Sequence, residues 1–175
     1  MKIGIFSDSH DQVEKLIEVK KVFEENKVEI VIFCGDLVSS FNFLKLKQIN
    51  WNIPIKAVFG NNEGDRIGIK RKAEKYGVNI EYPKHGLTWD LECDSCKIAV
   101  FHGHDKVITE ALLNSQKYDL LCTGHTHVSH LKKVGKTIWI NPGSLITFSE
   151  EKVNGSNSSI AIFDTDNLQG EIINL

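Results

Sequence analysis

K-I-G-I-F-S-D-S-H (Lys2–His10) and I-V-I-F-C-G-D (Ile30–Asp36) set the architecture of this chain. Both are short apolar runs that break into a loop bearing metal-type ligands, Asp8 and His10 in the first and Asp36 in the second. Such a run reads as a strand buried on both faces. Between them, Val13, Leu16, Ile17, Val22 and Phe23 form an apolar stripe opposite Glu14, Lys15, Glu18 and Lys21, which predicts a helix from about Gln12 to Asn26. Strand, helix, strand is the unit of a parallel sheet with helices packed on it.

The alternation continues. Phe41–Gln48 is predicted as a short helix, Ile55–Phe59 as a third strand entered through Pro54, and Asp65–Tyr76 as a helix closed by Gly77. Beyond Gly77 the pattern becomes strand-rich. Strands are predicted over Val78–Tyr82, Leu87–Leu91, Lys97–Phe101, Asp119–Cys122, Ser129–Val134, Thr137–Ile140, Ser159–Phe163 and Gly170–Ile173, with one helix near Val107–Ser115. Asp94-Ser95 and Gly135-Lys136 read as hairpin turns, and Glu150–Ser158 as a polar loop. With no repeat and no linker, the expected organisation is two sheets stacked face to face in one domain over residues 1–175.

Composition narrows the class. Hydrophobic residues make up 41% and charged residues 25%, an ordinary globular balance. A formal charge of -2 gives no overall basic field, hence no clear nucleic-acid footprint and no attraction to anionic membranes. No apolar stretch approaches the roughly 20 residues of a membrane span, and the N-terminus enters a strand without a secretory leader pattern, so a soluble cytoplasmic protein is expected. Cys34 and Cys122 lie in apolar runs and are expected to pack in the core. Cys93 and Cys96 flank Asp94-Ser95, and lacking a second ligand pair for zinc they read as the ends of a turn. Trp51, Trp89 and Trp139 suit either core packing or the interface of a homo-oligomer.

Four more candidate ligands follow apolar runs later in the chain. They are Asn61 in G-N-N-E, His102 in H-G-H, and His125 and His127 in G-H-T-H. Taken singly, each has an ordinary alternative: a helix cap for the aspartates, a turn for Asn61, a half-buried polar residue for a histidine. Taken together, carboxylate, imidazole and amide groups at successive strand ends describe a centre for two divalent cations. Two such ions bring four positive charges against two carboxylates, which leaves a surplus for an anionic phosphate ester and lowers the pKa of bound water.

The series D-x-H, G-D, G-N-x-E, H, G-H-x-H resembles the calcineurin-like metallophosphoesterases, over essentially the whole chain. Its length and the closing N-P-G-S (Asn141–Ser144) make it similar to their small single-domain phosphodiesterase branch. The resemblance implies a four-layer α/β/β/α sandwich of two mixed sheets flanked by helices. It implies one ion held by Asp8, His10, Asp36 and His127 and a second by Asp36, Asn61, His102 and His125, with Asp36 bridging. Manganese or nickel is favoured, with zinc and iron also compatible. The implied reaction is hydrolysis of a small-molecule phosphate diester by in-line attack of a hydroxide bridging the two cations, without a protein nucleophile.

The chain departs from the pattern at one position. Larger members have G-N-H-E/D, whose histidine assists the leaving group, whereas Asn62 stands here. Asn61 and Asn62 are expected to touch substrate, and His104, two residues beyond His102, is the candidate to replace the missing acid. Arg66, Arg71 and Lys106 are alternatives for holding a phosphate. Two rival functions remain: a non-catalytic or bifunctional protein-binding scaffold resembling the retromer's metallophosphoesterase-like subunit, and a phosphomonoesterase.

Overall fold

Apolar side chains leave the first strand on both sides, and this sets the layering. The computed structural model describes residues 1–146 and 158–175. In β1 (Lys2–Phe6), Ile3 and Ile5 enter one core while Phe6 enters another. β2 (Ile30–Phe33) repeats the division, with Ile32 in the first core and Val31 and Phe33 in the second. Alternation along a strand is the physical cause: successive Cβ atoms point to opposite faces.

The remaining elements are α1 (Lys15–Glu25), α2 (Asn42–Gln48), β3 (Ile55–Ala57), α3 (Arg66–Tyr76), β4 (Ile80–Glu81), β5 (Thr88–Cys93), β6 (Cys96–Phe101), α4 (Lys106–Asn114), β7 (Leu120–Cys122), β8 (His130–Val134), β9 (Thr137–Asn141), β10 (Ser159–Asp164) and β11 (Gln169–Asn174). One sheet has the order β11-β10-β1-β2-β3-β4 and the other β5-β6-β7-β9-β8. Both are mixed. β1 through β4 run parallel while β10 and β11 pair antiparallel, and β6, β7 and β9 run parallel while β5 and β8 pair antiparallel.

Three cores separate four layers. Ile3, Ile5, Ile32 and Phe163 of the first sheet meet Ile98, Val100, Leu120 and Cys122 of the second. On its outer face the first sheet packs Phe6, Phe33 and Ile55 against Leu16, Val19 and Phe23 of α1, Phe43 of α2 and Ile69 of α3. The second sheet presents Ala99 and Leu121 to Leu113 of α4. The expected α/β/β/α sandwich is the observed one. No helix among the described residues is long and apolar enough to cross a membrane.

Several boundaries shift for tertiary reasons. α1 begins at Lys15 rather than Gln12, because residues 9–15 form successive tight turns: Gln12 N donates to Ser9 O and Lys15 N to Gln12 O. The Asp11 carboxylate ties this loop to its neighbour by accepting from Ser39 N and Asn42 Nδ2. β4 keeps only two ladder residues, since Tyr82 turns away to stack on Phe59 at 4.1 Å. The expected turn at Asp94-Ser95 has φ of 47° and 65°, the left-handed pair of a tight hairpin, with Cys93 opposite Cys96. All four cysteines are free thiols, and burial pushes Cys96 up to about 12. The tryptophans belong to the interior framework: Trp51, Trp89 and Trp139 donate their indole N–H to Ile53 O, Ala57 O and Thr123 Oγ1. Of the expected polar loop, residues 150–157 lie outside the described residues.

Gly4 is needed for close approach: a Cβ there would lie 2.7 Å from the Phe23 ring. Gly4→Ala is expected to cost about 1–3 kcal/mol by overpacking, and adding Phe23→Leu should recover part of that loss in urea titrations. A second prediction concerns Asp119. Its carboxylate accepts Lys97 N at 2.9 Å and pairs with Lys136 at 2.9 Å; chiefly the Lys97 N–H holds its pKa below the usual range. A depressed folded-state pKa stabilises above the unfolded value of about 3.9 and is lost as pH falls through the folded value. Asp119→Asn should therefore flatten the acid limb of a stability–pH profile and leave its slope above about pH 6 unchanged.

Candidate metal centre

The seven candidate ligands leave the ends of five strands that share the inter-sheet core. Asp8 and His10 follow β1, Asp36 follows β2, Asn61 follows β3, His102 follows β6, and His125 and His127 follow β7. Each loop must turn sharply where its strand stops. Five of the seven ligands accordingly adopt positive φ: Asp8 51°, His10 39°, Asp36 61°, His125 68° and His127 58°. Non-glycine residues avoid this region, and such strain concentrates at functional sites. Gly35, with φ of +102°, permits the crossing of two of these loops, since a Cβ would lie 2.7 Å from Gly60 N and 2.9 Å from His102 Nδ1.

The donor atoms converge. Asp8, Asp36 and His102 are essentially inaccessible to solvent, and one ligand atom from each falls within a common 4.8 Å. Asp8, His10 and His127 form a second such group. Asp8 Oδ1 is buried and accepts no well-formed hydrogen bond; around it stand the Nε2 atoms of His127 at 3.3 Å, His10 at 3.7 Å and His102 at 4.0 Å. Asp36 Oδ2 faces His102 Nε2 at 3.4 Å and His10 Nε2 at 3.5 Å. His102 Nε2 also lies 2.9 Å from Asn61 Oδ1, while its Nδ1 lies 2.7 Å from Cys34 O. The His125 ring stands edge-on to His102 at 5.3 Å.

Both ring nitrogens of His102 thus face acceptor oxygens. Cys34 O takes the Nδ1–H, as in the outer contacts that orient a metal-binding imidazole. On the Nε2 side a proton or a cation must separate the lone pairs. Burial depresses the His102 pKa, but Asp36 and Asp8 outweigh it and raise it overall. The carboxylates show the converse. Burial favours their neutral forms, yet the imidazoles around Asp8, and His102 with Asn62 around Asp36, hold both below the ordinary range. Orphaned Asp8 Oδ1, converging imidazoles and a thiolate-free donor set fit hard to borderline divalent cations.

Asn62 and His104 sit differently from expectation. The Asn62 backbone N–H donates to Asp36 Oδ1 at 2.8 Å and its Nδ2 to Asp36 Oδ2 at 2.7 Å, so its amide fixes the carboxylate as well as lining the site. An open depression of about 440 Å³ over the cluster is walled by His10, Asp36, Val38, Asn62, His125 and His127. His104 is not on that wall: its ring stacks near Phe101 at 5.0 Å and His102 at 5.5 Å. Burial, then repulsion from His102 and His125, lowers its pKa.

Glu63 carries a role the sequence reading left unassigned, although G-N-N-E contains it. Its two oxygens accept Leu37 N at 3.1 Å and Gly60 N at 2.7 Å, clamping the Asp36 loop to the Asn61 loop. Burial raises its pKa against those N–H groups, and the Asp36 charge adds to the rise.

Comparison with known proteins agrees with this geometry. The chain is 36% identical over 143 residues to a phosphodiesterase of Methanocaldococcus jannaschii, covering 82% of this chain and 83% of that one. A solved archaeal phosphodiesterase superposes with a TM-score of 0.86 at 31% identity over the full length of both chains. Wild-type Vps29 from Entamoeba histolytica, solved with zinc, shares the fold at a TM-score of 0.61 and 18% identity, over 99% of each chain. The model of the calcineurin-like phosphoesterase superfamily domain matches residues 1–168, and the chain belongs to that family.

Proposed function

We propose that this chain, as one domain over residues 1–175, hydrolyses small phosphate diesters with two divalent cations. The observation that carries the reading is the convergence of Asp8 Oδ1, Asp36 Oδ2, Asn61 Oδ1 and three imidazole Nε2 atoms on one buried cluster beneath an open depression. On this reading Asp8, His10, Asp36 and His127 hold one ion, and Asp36, Asn61, His102 and His125 the other. Manganese or nickel suits donors of carboxylate, imidazole and amide type. When bound, the ions supply an acidified water and neutralise charge on the phosphate.

The chain's own residues do the positioning. Cys34 O fixes His102 so that Nε2 is the ligand atom. His125 N–H donates to Asp8 Oδ2 at 2.9 Å, which turns Oδ1 towards the imidazoles. Asn62 sets the rotation of Asp36, and Glu63 keeps the two loops in register. Ser9 is no nucleophile: it is fully buried, with its hydroxyl 3.5 Å from Asp36 O. Asn62 faces the depression where a proton donor would serve, and an amide delivers no proton. Preference for a diester over a monoester rests on the similarity to the archaeal phosphodiesterases.

Two outcomes test this. Asp36→Asn should lower bis(p-nitrophenyl) phosphate turnover more than about a hundredfold and reduce manganese bound per chain, with near-native circular dichroism; wild-type catalysis in the variant would sink the two-ion assignment. Across diesters of rising leaving-group pKa, from nitrophenol to alkanol, kcat/KM should fall by more than about a hundredfold, the usual worth of a general acid. A flat series would show that a proton donor acts after all, and His104→Ala would then identify or exclude it.

A further inference from the structure

Helix α3 concentrates cations on one stretch of surface. Between Arg66 and Tyr76 stand five cations, Arg66, Lys70, Arg71, Lys72 and Lys75, and one carboxylate, Glu74. Elsewhere Lys15, Lys20, Lys45, Lys56, Lys117 and Lys136 meet carboxylates at 2.5 to 2.9 Å. None of the five on α3 forms an ion pair with a described carboxylate. Four of them lie over aromatic rings: Arg66 and Lys70 over Phe59, Lys72 over Phe41 and Tyr76, and Lys75 over Tyr76, at 5.1 to 5.8 Å. Lys47 of α2 approaches Tyr76 from the other side at 5.7 Å. Phe41 is 72% exposed, unusual for a phenylalanine with no apolar cover.

Two loops connect this surface to the metal depression. Arg71, Lys72 and Lys75, with Ser40, Asp65 and Glu74, line a groove of about 590 Å³. Val38 and Asn62 wall the depression, and the same two loops run on to Ser40 and Asp65, tied by Gly64 N donating to Val38 O at 3.3 Å. Of the two groove carboxylates, Asp65 caps α3 by accepting Gly68 N at 2.9 Å. Cations spaced along a groove, with an exposed aromatic that follows the groove residue Ser40 and lies under Lys72, match what a single nucleic-acid strand requires: charge that tracks the backbone and a ring on which a base stacks.

We propose that the α2–α3 face binds a single-stranded nucleic acid and presents an internucleotide phosphodiester to the metal depression. This rests on the phosphodiesterase reading for its chemistry, but not for its binding. Arg71, Lys72 and Lys75 contact successive phosphates, and Phe41 receives a base beside the depression.

The test is fluorescence anisotropy of a labelled oligothymidylate of about a dozen nucleotides, a length within reach of one such groove. The full chain is measured metal-stripped and manganese-loaded across a salt series, alongside bis(p-nitrophenyl) phosphate turnover. The Arg71→Ala/Lys72→Ala/Lys75→Ala variant should bind at least about tenfold more weakly, with its log–log salt slope reduced by about 2, at roughly 0.7 for each phosphate no longer neutralised. The Lys72→Ala/Lys75→Ala double variant, which keeps Arg71, should weaken strand binding in the same direction and turn over the small diester as wild type does, since neither side chain lines the metal depression. Phe41→Ala should weaken oligothymidylate binding and leave inorganic polyphosphate binding unchanged. Undetectable strand binding, equal binding by the triple variant, or indifference of the strand to Phe41 would each overturn the proposal. Loss of strand binding in the triple variant, with no small-diester turnover in any form, would uphold the surface and defeat the phosphodiesterase reading instead.

Discussion

Two carboxylates withdrawn from water, Asp8 and Asp36, share one cluster with His102 inside 4.8 Å, and the surrounding structure exists to hold them there. Burying one anion without compensation is costly, and burying two side by side is worse. Compensation comes from every direction the fold offers: backbone N–H groups of Asn62 and His125, the Asn62 amide, and imidazoles from loops after both sheets. Yet Asp8 Oδ1 still lacks a donor. A set of partners nearly complete, with its deficit at the point where ligand atoms converge, is an arrangement that could hold a cation.

The layering explains why these loops meet. β1, β2 and β3 belong to one sheet and β6 and β7 to the other, but the inter-sheet core receives Ile5, Ile32, Val100 and Leu120 from β1, β2, β6 and β7, and Val58 from the residue that follows β3. Parallel pairing brings the ends of β1, β2 and β3 to one edge of the first sheet and those of β6 and β7 to one edge of the second, and the ion-pair distances from His102 and His127 to Asp8 and Asp36 show that these edges adjoin. Loops leaving those ends then compete for a small volume. Positive φ at five ligands and the side-chain-free approach of Gly35 to Gly60 are how that crowding is accommodated. Likeness to Vps29 at 18% identity speaks to this layering alone, because the same sandwich exists whatever its loops carry.

Much of this was legible in the chain because the information is local. An apolar run followed by Gly-Asp, Gly-His or directly by His states both where a strand ends and what leaves it, so the positions of Asp36, His125 and His102 after strands were legible without any long-range contact. What the sequence did not disclose depends on partners distant in the chain. The start of α1 moved because Asp11 answers to Ser39 and Asn42, a tie invisible in the helical period of residues 12–26. β4 shrank because Tyr82 found Phe59. That Asn62 also holds the Asp36 carboxylate is not visible until Asp36 is seen within hydrogen-bonding distance of its amide. Glu63 was in plain view, but a glutamate after Gly-Asn-Asn declares no task until Leu37 N and Gly60 N are seen converging on it.

Net charge misleads for a related reason. A total of -2 is a sum over the whole surface, whereas a ligand responds to charge within about a Debye length of 10 Å. Helix α3 gathers five cations on one stretch of that surface and leaves them without carboxylate partners, so an overall negative chain carries a locally positive groove. The groove opens beside a cluster which, on the two-ion reading, has four positive charges against two carboxylates. Two positive regions in contact repel each other unless something anionic lies across both. On that reading, a ligand whose negative charge is extended satisfies both regions better than a compact one.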